Sequence, residues 1–246
     1  MDKDKIYQQI LKEAESDSDV IGFVLGAGRG KGIVGEYSDY DIAIIVSDEL
    51  KAEYVEKYEK KYHQTEIIDI GVYSLTDYKN YAQWGAPDAP HRYNFAYLKA
   101  VIDRTGEIQK IIDAKGVIPP DKVKEFVAAE LDGYMNYYYR AVKNYRDGNM
   151  TASRLDAAES MVPLLVTLFG AEGRLRPYNK YLEWDLKNHP LKFLPWPVDE
   201  FIEKIIKIMT TGDIKTQKEI FEKVCELFRA QGYGEVIDGW KGYYLG

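Results

Sequence analysis

Several classes of protein are excluded by what the sequence lacks. It contains one cysteine, Cys225, so neither an intrachain disulfide nor a cysteine-rich zinc site can form. No run of about 18 apolar residues occurs, and the first residues lack the apolar core of a signal peptide. We therefore expect a protein of the cytoplasm, without a membrane-spanning segment.

Positive charge is also in short supply. The chain has 33 Lys and Arg against 40 Asp and Glu, which gives a formal net charge of -7. Duplex DNA and long RNA are bound largely by lysine and arginine side chains that neutralise phosphates. The acidic balance therefore argues against nucleic acid as a partner, and a small anionic ligand would need local cations or a bound metal.

The composition is otherwise that of a globular protein. The 246 residues are 46% hydrophobic, which is enough for a sizeable core. In the first half, short β-branched apolar segments alternate with helical patterns, and this alternation predicts an α/β or α+β domain. The predicted strands are 20–25, 40–46 and 65–75, the charged helix between the last two is 49–62, and a further apolar segment, turn and helix lie in 95–114.

The pattern changes at Pro119 and Pro120, which interrupt any regular element before a long helical pattern begins. We therefore predict an α+β fold with two domains. The first, a catalytic domain with a short mixed sheet and flanking helices, would cover residues 1–117. The second, a helical bundle that binds substrate, would cover residues 118–246.

The second half is predicted to consist of amphipathic helices. Apolar side chains recur at steps of three and four from Val123 onward, and Gly148 stands where that helix would stop. A second helix is expected from about 152 to 169, in which Pro163 should cause a kink or a break. A proline-rich loop and two more helices follow.

The stretch with the most chemistry is LGAGRGKGIVGEYSDYDIAII, residues 25 to 45. Because side chains alternate along a strand, Asp39 and Asp41 are expected on one face. Two carboxylates about 4 Å apart repel by roughly 4 kcal/mol at an effective dielectric near 20, so a partly buried pair favours a cation. Carboxylate oxygens suit Mg²⁺, which completes its shell with water and phosphate oxygens. A solvated Ser-Asp-Tyr-Asp turn is the alternative.

An apolar strand, a glycine-rich loop and Ser-Asp-x-Asp followed by IAIIV resemble the signature of the nucleotidyltransferase superfamily. That signature is an apolar residue, Gly-Ser or Gly-Gly, a spacer of roughly ten residues, and Asp-x-Asp or Asp-x-Glu. Here it is Leu25-Gly26-Ala27, eleven residues, and Asp39-Tyr40-Asp41. The resemblance implies the minimal fold of DNA polymerase beta-like nucleotidyltransferases, with Asp39 and Asp41 as metal ligands.

The resemblance also implies a third carboxylate on a later strand beside the first two. In the segment IIDIG, Asp69 shares a strand face with Gly71, whereas Glu66 faces the other way under strict alternation. Asp69 is therefore the candidate for the third metal ligand, and it would help to deprotonate the acceptor. The alternative is a strand-end aspartate that pairs with an arginine.

The glycine loop is the expected phosphate site. Glycines let backbone N–H groups approach a phosphate. The serine that the family usually has after the first glycine is replaced here by alanine, so another side chain would have to supply the donor or charge. A mobile, solvated loop is the alternative for the two cations. The predicted nucleotide-binding residues of this loop are Gly26, Ala27, Gly28, Arg29, Lys31 and Ser38.

Residues 154–184 resemble the helical domain of aminoglycoside and lincosamide nucleotidyltransferases. Asp156 and Glu159 are three residues apart, so on a helix they would share a face that binds a cationic acceptor or takes a proton from its hydroxyl. Arg176 and Lys180 lie in GRLRPYNKYLEW and would contact phosphates. A solvated helix surface and packing between the domains are the respective alternatives.

Together these patterns predict a Mg²⁺-dependent nucleotidyltransferase. It would transfer AMP from ATP to a hydroxyl of a small molecule, such as an aminoglycoside-like or lincosamide-like antibiotic. One alternative changes the acceptor to a protein or an RNA, as in toxin–antitoxin systems. Another is a catalytically silent nucleotide-binding module. Some relatives build their site across a dimer, so the resemblance leaves a homodimer open.

Overall fold

A computed structural model describes residues 2–243 of the chain. The chain divides into two compact units between Pro119 and Pro120, two residues after the boundary expected at 117. Each unit has its own hydrophobic core. The first unit holds a small mixed sheet with helices and the second is helical, so the predicted α+β class is confirmed.

The sheet of the first unit has four strands in the order β3-β2-β1-β4. Strand β1 pairs antiparallel with β2 and β4, whereas β2 and β3 are parallel. The strands predicted over 20–25, 40–46 and 65–75 all form within those ranges. The observed bounds are β1 Gly22–Leu25, β2 Tyr40–Val46, β3 Ile68–Ser74 and β4 Ala100–Asp103.

The helices of the first unit include the charged segment and the helix expected within 95–114. Three further segments are helical although no helix was predicted for them. The charged helix contains a central π-helical stretch. The unpredicted segments are α2, α5 and a 3-10 helix. The bounds are α1 Lys3–Ser16, α2 Ala27–Gly30, α3 Lys51–Tyr54, the π-helical stretch Val55–Glu59, α4 Lys60–Tyr62, α5 Leu75–Asn80, the 3-10 helix Ala89–Phe95, and α6 Ile108–Lys115.

The glycine-rich segment is therefore not a loop throughout, because its first half folds into α2. Gly30 explains how so short a helix can follow β1 directly. A Cβ atom at Gly30 would lie 2.0 Å from the carbonyl oxygen of Leu25, a distance that no side chain can occupy. The close return of the chain onto the end of β1 thus requires glycine at this position.

One face of the sheet is apolar and carries the larger core of this unit. Ile42 and Ile44 of β2 pack there with Ile68 and Ile70 of β3, all almost fully buried, together with side chains of α1. The opposite face of the same strands carries Asp41, Ala43, Asp69 and Gly71 at one end, and Ile45 and Tyr73 at the other end pack in a second core cluster. Strand alternation therefore leaves one face of β2 and β3 available for a site.

The second unit is built from helices, the longest of which, α7 and α8, pack along each other. The helix pattern from Val123 and the stop before Gly148 are confirmed, and Pro163 lies inside α8 without ending it. Helix α9 begins within the segment GRLRPYNKYLEW, which was expected to contact phosphates and for which no helix was predicted. The bounds are α7 Val123–Arg146, α8 Met150–Gly170, α9 Asn179–Asn188, α10 Val198–Thr211, α11 Ile214–Ala230 and α12 Gly234–Asp238.

Within residues 2–243, no helix combines the length and the apolar character that crossing a membrane requires.

Candidate active site

A pocket of about 290 Å³ opens on the polar face of the sheet in the first unit. Strands β1, β2 and β3, the turn that leads into α2, and the segment 78–98 all contribute to it. Two aspartates and the turn line one part of the pocket, and aromatic rings line another. The side chains and turn residues used below are Gly26, Ala27, Asp41, His63, Asp69 and Tyr73.

The two aspartates are direct neighbours across parallel strands. Asp41 of β2 and Asp69 of β3 are register partners, and adjacent strands lie about 4.8 Å apart. Both residues line the same pocket, so their side chains leave the sheet on the same face. The N–H of Gly26 donates to the carbonyl oxygen of Asp41 at 2.7 Å. Gly26, Asp41 and Asp69 thus form one row across three strands.

Asp69 is anchored through one of its two carboxylate oxygens. Its Oδ1 accepts a hydrogen bond from the backbone N–H of Gln64 at 2.8 Å and lies 3.2 Å from Nδ1 of His63. These partners replace the arginine that the alternative prediction would have required. Both contacts use Oδ1, and Asp69 as a whole lines the pocket.

Asp39 does not join this pair. It is half-buried, it precedes β2, and it does not line the pocket. The strand begins at Tyr40, so Asp39 is the residue before it, and the pocket lining includes Asp41 but not Asp39. In the part of the chain that the structure describes, no group of three or more Asp, Glu, His or Cys side chains is placed to hold a metal ion.

The donor set for a metal is therefore a pair of carboxylates. Magnesium commonly takes one or two protein carboxylates and fills its remaining positions with water and phosphate oxygens. Asp41 and Asp69, in register and at the edge of an open pocket, match that requirement in number and chemistry. The pair fits Mg²⁺ when a second molecule supplies the other oxygen atoms.

The turn beside the pair contains one residue in an uncommon conformation. Gly26 and Ala27 line the pocket, and Ala27 has a φ of 43°, in the left-handed region that residues other than glycine rarely adopt. Gly28 is buried. Such strain costs of order 1 kcal/mol and persists where the surroundings hold it, often at binding sites. The hydroxyl of Ser38 accepts from the N–H of Gly35 at 2.8 Å, so it closes a local turn.

Arg29 is used to hold the chain that leads into β2. Its Nε donates to the carbonyl oxygen of Asp39 at 2.9 Å, and a terminal nitrogen donates to that of Ser38 at 3.2 Å. The guanidinium carbon lies 3.9 Å from the centre of the Tyr40 ring. Arg29 is therefore neither a pocket side chain nor a solvated one, contrary to both expectations for the loop.

Lys31 is likewise engaged inside the fold. Its side chain is buried, and Nζ donates to the carbonyl oxygens of Tyr93 at 3.3 Å, Asn94 at 3.2 Å and Ala96. The first two of these carbonyls belong to the last turn of the 3-10 helix, and the third follows its end. The structure thus places Lys31 in a stabilising position, and it contradicts the expectation of a solvated loop.

Asp156 and Glu159, the two acids predicted to bind the acceptor, differ in their exposure to solvent. Asp156 is buried in α8, where its carboxylate accepts from Asn144 at 2.7 Å and lies 3.0 Å from a nitrogen of Arg140. Glu159 is exposed. Three residues correspond to about 300° around a helix, so near the edge of a buried face one residue points inward and the next outward. The predicted shared surface of Asp156 and Glu159 is therefore wrong.

Arg176 and Lys180, the two cations predicted to contact phosphates, differ in burial and in their contacts. Arg176 donates to Oδ1 of Asn179 at 2.5 Å, its Nε is buried without a hydrogen-bond partner, and burial lowers its pKa. Lys180 is exposed in the first turn of α9, with Nζ 5.3 Å from the centre of the Tyr181 ring. Both were expected to contact phosphates; Lys180 lies in α9, whereas Arg176 precedes it.

Two pocket residues were missed by the sequence analysis. His63 has no signal in the sequence, because it lies in the turn before β3 and reaches Asp69 only through the fold. Tyr73 could have been found from the sequence, because it lies two positions beyond Gly71 and four beyond Asp69, on the same face of β3. Burial raises the pKa of Tyr73, and Glu59 and Asp69 add to the effect, so its phenol stays neutral.

No protein-family model matches the chain, and no curated protein matches it. The solved structures that match include the crystal structure of a nucleotidyltransferase-like protein from Exiguobacterium sibiricum 255-15. That match has 10% sequence identity and a TM-score of 0.38, and it covers 93% of this chain and 80% of that chain. A similarity at this TM-score does not support a functional assignment.

Proposed function

We propose that the chain is a Mg²⁺-dependent nucleotidyltransferase that transfers AMP from ATP to a hydroxyl of a small molecule. The observation that carries the proposal is the register of Asp41 with Asp69 at an open pocket. Two like charges held side by side destabilise a fold unless they are solvated or bind a cation. The turn at Gly26 and Ala27, which lines the same pocket, matches the phosphate loop of the sequence signature.

In this proposal each residue has a defined part. Asp41 and Asp69 hold the metal, and the backbone of Gly26 and Ala27 approaches the phosphates. The carboxylate of Asp69 would also help to take the proton as the acceptor oxygen attacks the α-phosphorus. A bond forms between these two atoms, the bond from the α-phosphorus to the bridging oxygen breaks, and pyrophosphate leaves. When bound, Mg²⁺ offsets the charge of the phosphates and polarises the reacting oxygens.

The acceptor is the least specified part of the proposal. An aminoglycoside-like or lincosamide-like molecule is supported by the sequence resemblance of residues 154–184. Asp156 and Glu159 no longer support it, because one is paired inside its unit and the other is exposed. A small molecule remains the favoured class, since the pocket of about 290 Å³ is at the lower end of the range for small-molecule sites, about 300 to 1,000 Å³.

The test is the release of pyrophosphate by the full chain with ATP and Mg²⁺, across a panel of aminoglycosides, lincosamides and simple amino alcohols. We expect release that depends on Mg²⁺ and on an acceptor, and that is lost in Asp41→Asn and Asp69→Asn. The matched control is Asp121→Asn, whose side chain is 72% exposed. Release at the wild-type rate in both pocket variants would refute the assignment. Release only with protein or RNA would support the alternative acceptor.

A silent nucleotide-binding module is the second candidate, and two observations favour it. Asp39 lies outside the pocket, and Ala27 supplies no hydroxyl to a phosphate. Calorimetry of ATP binding with and without Mg²⁺ separates the two hypotheses. Binding that does not change with the metal, with no product formed, favours the silent module. Binding that needs Mg²⁺ and the two pocket aspartates favours the enzyme.

A further inference from the structure

One row of the sheet, which includes an alanine and a glycine, lines the pocket beside the two carboxylates. Val24 of β1 is the register partner of Ala43 in β2, and Ala43 is the partner of Gly71 in β3. All three line the pocket. This row lies directly beside the row of Gly26, Asp41 and Asp69. The depth next to the carboxylates therefore comes from two positions, Ala43 and Gly71, that carry almost no side chain.

Gly71 has a second effect, because it lets the ring of Tyr73 lie back along β3. A Cβ atom at Gly71 would be 2.9 Å from Cε2 of Tyr73 and 3.1 Å from its hydroxyl oxygen. The Tyr73 ring thus covers Gly71 and extends toward Asp69, which is two residues further along the same strand face. Any side chain at position 71 would push this ring away from its place.

The Tyr73 ring is fixed by neighbouring aromatic rings. Its centre lies 5.7 Å from that of Tyr78, in an edge-on arrangement, and 6.0 Å from that of Tyr81. Tyr81 in turn lies 6.0 Å from Phe95, and its hydroxyl is 2.9 Å from Nδ1 of His91. These distances are typical of stabilising ring pairs. Tyr73 is therefore a rigid aromatic surface, itself half-buried, and not a mobile lid.

The charges of the pocket restrict what it can hold. Its described lining residues include Asp41, Asp69 and His63 but neither lysine nor arginine. Phosphates at the turn of Gly26 and Ala27 would be balanced by Mg²⁺ on the two aspartates, but the part of the pocket beside Tyr73 has no cationic side chain for a further anion. A volume of about 290 Å³ also leaves room there for one or two rings and not for a whole nucleotide. The occupant that fits this part is neutral or cationic, and it presents a flat face to Tyr73.

We propose that the part of this pocket beside Tyr73 is the acceptor subsite and that Tyr73, held over Gly71, is the platform on which a ring of the acceptor stacks. The acceptor would be neutral or cationic, with its hydroxyl within reach of Asp69. Stacking on an aromatic side chain is selective for flat rings but tolerant of their identity. This inference rests on the proposed function and deepens it by naming the class of acceptor.

The test uses two probes that share an amine and a hydroxyl and differ in a ring, 2-amino-1-phenylethanol and 1-amino-2-propanol. Each is titrated into the full chain without nucleotide, and its dissociation constant is measured by NMR. We expect the phenyl compound to bind at least tenfold more tightly. Tyr73→Ala and Gly71→Ala should each remove that preference, the second by displacing the ring, whereas Tyr73→Phe should keep it.

Two controls protect this experiment. Tyr37→Ala removes a tyrosine that is 90% exposed and outside the pocket, and it should leave the preference unchanged. If Tyr73→Ala fails to fold, as judged by circular dichroism, Tyr73→Leu preserves side-chain volume without an aromatic face and should still lose the preference. Equal binding of the two probes by the wild-type chain, or a preference that survives at Tyr73→Leu, overturns the inference.

Two further outcomes separate this inference from the proposed function and from the alternative source of a ring. If adenosine displaces the phenyl probe and binds more tightly, with the same dependence on Tyr73, the platform serves the base of the donor and the acceptor assignment is wrong. If the ring preference is lost while pyrophosphate release is intact, only this inference fails. If the preference is intact and no acceptor supports release, the proposed function fails.

Discussion

The two units of the chain place acidic side chains in opposite settings. In the helical unit, Asp156 is buried beside Arg140, and the Asp185 side chain has no exposed surface and contacts Arg174. Each of these carboxylates has a cation as its neighbour. Removal of one partner from such a pair leaves a poorly solvated charge, which usually costs more than the pair contributes. These acids are therefore part of what holds the helices together.

In the sheet unit, Asp41 and Asp69 lie side by side, and Asp69 also lies 3.2 Å from Nδ1 of His63. They are register partners on parallel strands and line an open pocket without a lysine or arginine among its described lining residues. Like charges side by side oppose folding unless solvent or a cation offsets them, and under the proposed function Mg²⁺ would do so. The comparison teaches that the surroundings of a carboxylate in this protein do not follow from its spacing along the chain.

The largest effect is expected when one carboxylate of the Asp41–Asp69 pair is removed. Asp41→Asn and Asp69→Asn should each reduce pyrophosphate release at least about 1,000-fold, which corresponds to about 4 kcal/mol of transition-state stabilisation. Both variants should stay folded, because the amide is similar in size and both sites are half-buried at the pocket. Steady-state kinetics and circular dichroism measure the two outcomes. A variant that unfolds would assign the aspartate a structural part instead.

The next effect breaks a pair in the helical unit. Asp185→Asn should lower the free energy of unfolding by about 3 kcal/mol, since the charge of Arg174, only 17% exposed, loses its main partner. Urea denaturation followed by circular dichroism measures the change. The matched exposed control is Glu183→Gln on the same helix, 65% exposed, for which we expect less than about 0.5 kcal/mol. Equal effects of the two substitutions would contradict the comparison.

A smaller effect sharpens the boundary of the site. Asp39→Asn should reduce pyrophosphate release by about tenfold, or roughly 1.4 kcal/mol, far less than the Asp41 variant. The reason is that the carboxylate of Asp39 lies outside the pocket lining and precedes the strand. Parallel kinetics of the two variants decide the point. A loss as large as that of Asp41→Asn would mean that Asp39 also binds the metal during turnover.

The smallest effect concerns an acid that caps a helix. The side chain of Asp213 accepts from the N–H of Thr216 at 3.0 Å at the start of α11, and Asp213→Ala should lower stability by about 1 kcal/mol. Hydrogen bonds from Thr216 and Lys207 lower the pKa of Asp213 from 3.8 to about 2.

The sign of the pH dependence of this cap follows from the lowered pKa. The unfolded state binds the proton more readily, so the contribution of Asp213 is fully present above about pH 4 and is lost as the pH falls toward 2. The difference in unfolding free energy between wild type and Asp213→Ala should therefore shrink over that range. A difference that stays constant from pH 6 to pH 2.5 would argue against the cap as its cause.

Much of the fold was predictable because strand and helix patterns are local. The apolar segments that form β1, β2 and β3 and the helical period of α7 were found at nearly their observed positions. Helix α2 was missed because its sequence is rich in glycine, and it depends on the close approach of Gly30 to Leu25. Helix α9 was not predicted either, and it begins two residues after Pro177.

The candidate site was predictable in part. The face of β3 that carries Asp69 follows from alternation, since Cβ directions depend only on the local backbone. Whether Arg29 and Lys31 are free to contact a phosphate was not predictable in this way. Their partners are carbonyl groups, and those of Lys31 lie more than sixty residues away in sequence. A side chain's charge is local information, but its hydrogen-bond partner is not.

The sequence alone therefore determined the strands β1, β2 and β3, the long helix α7, and that Asp41 and Asp69 point away from the apolar core. Only the tertiary structure decided that these two aspartates are neighbours, that the pocket lining excludes Asp39, and that Tyr73 lies over Gly71 beside them. The reason is physical. Alternation is set within each strand, whereas register between β2 and β3 depends on the packing of side chains from distant parts of the chain.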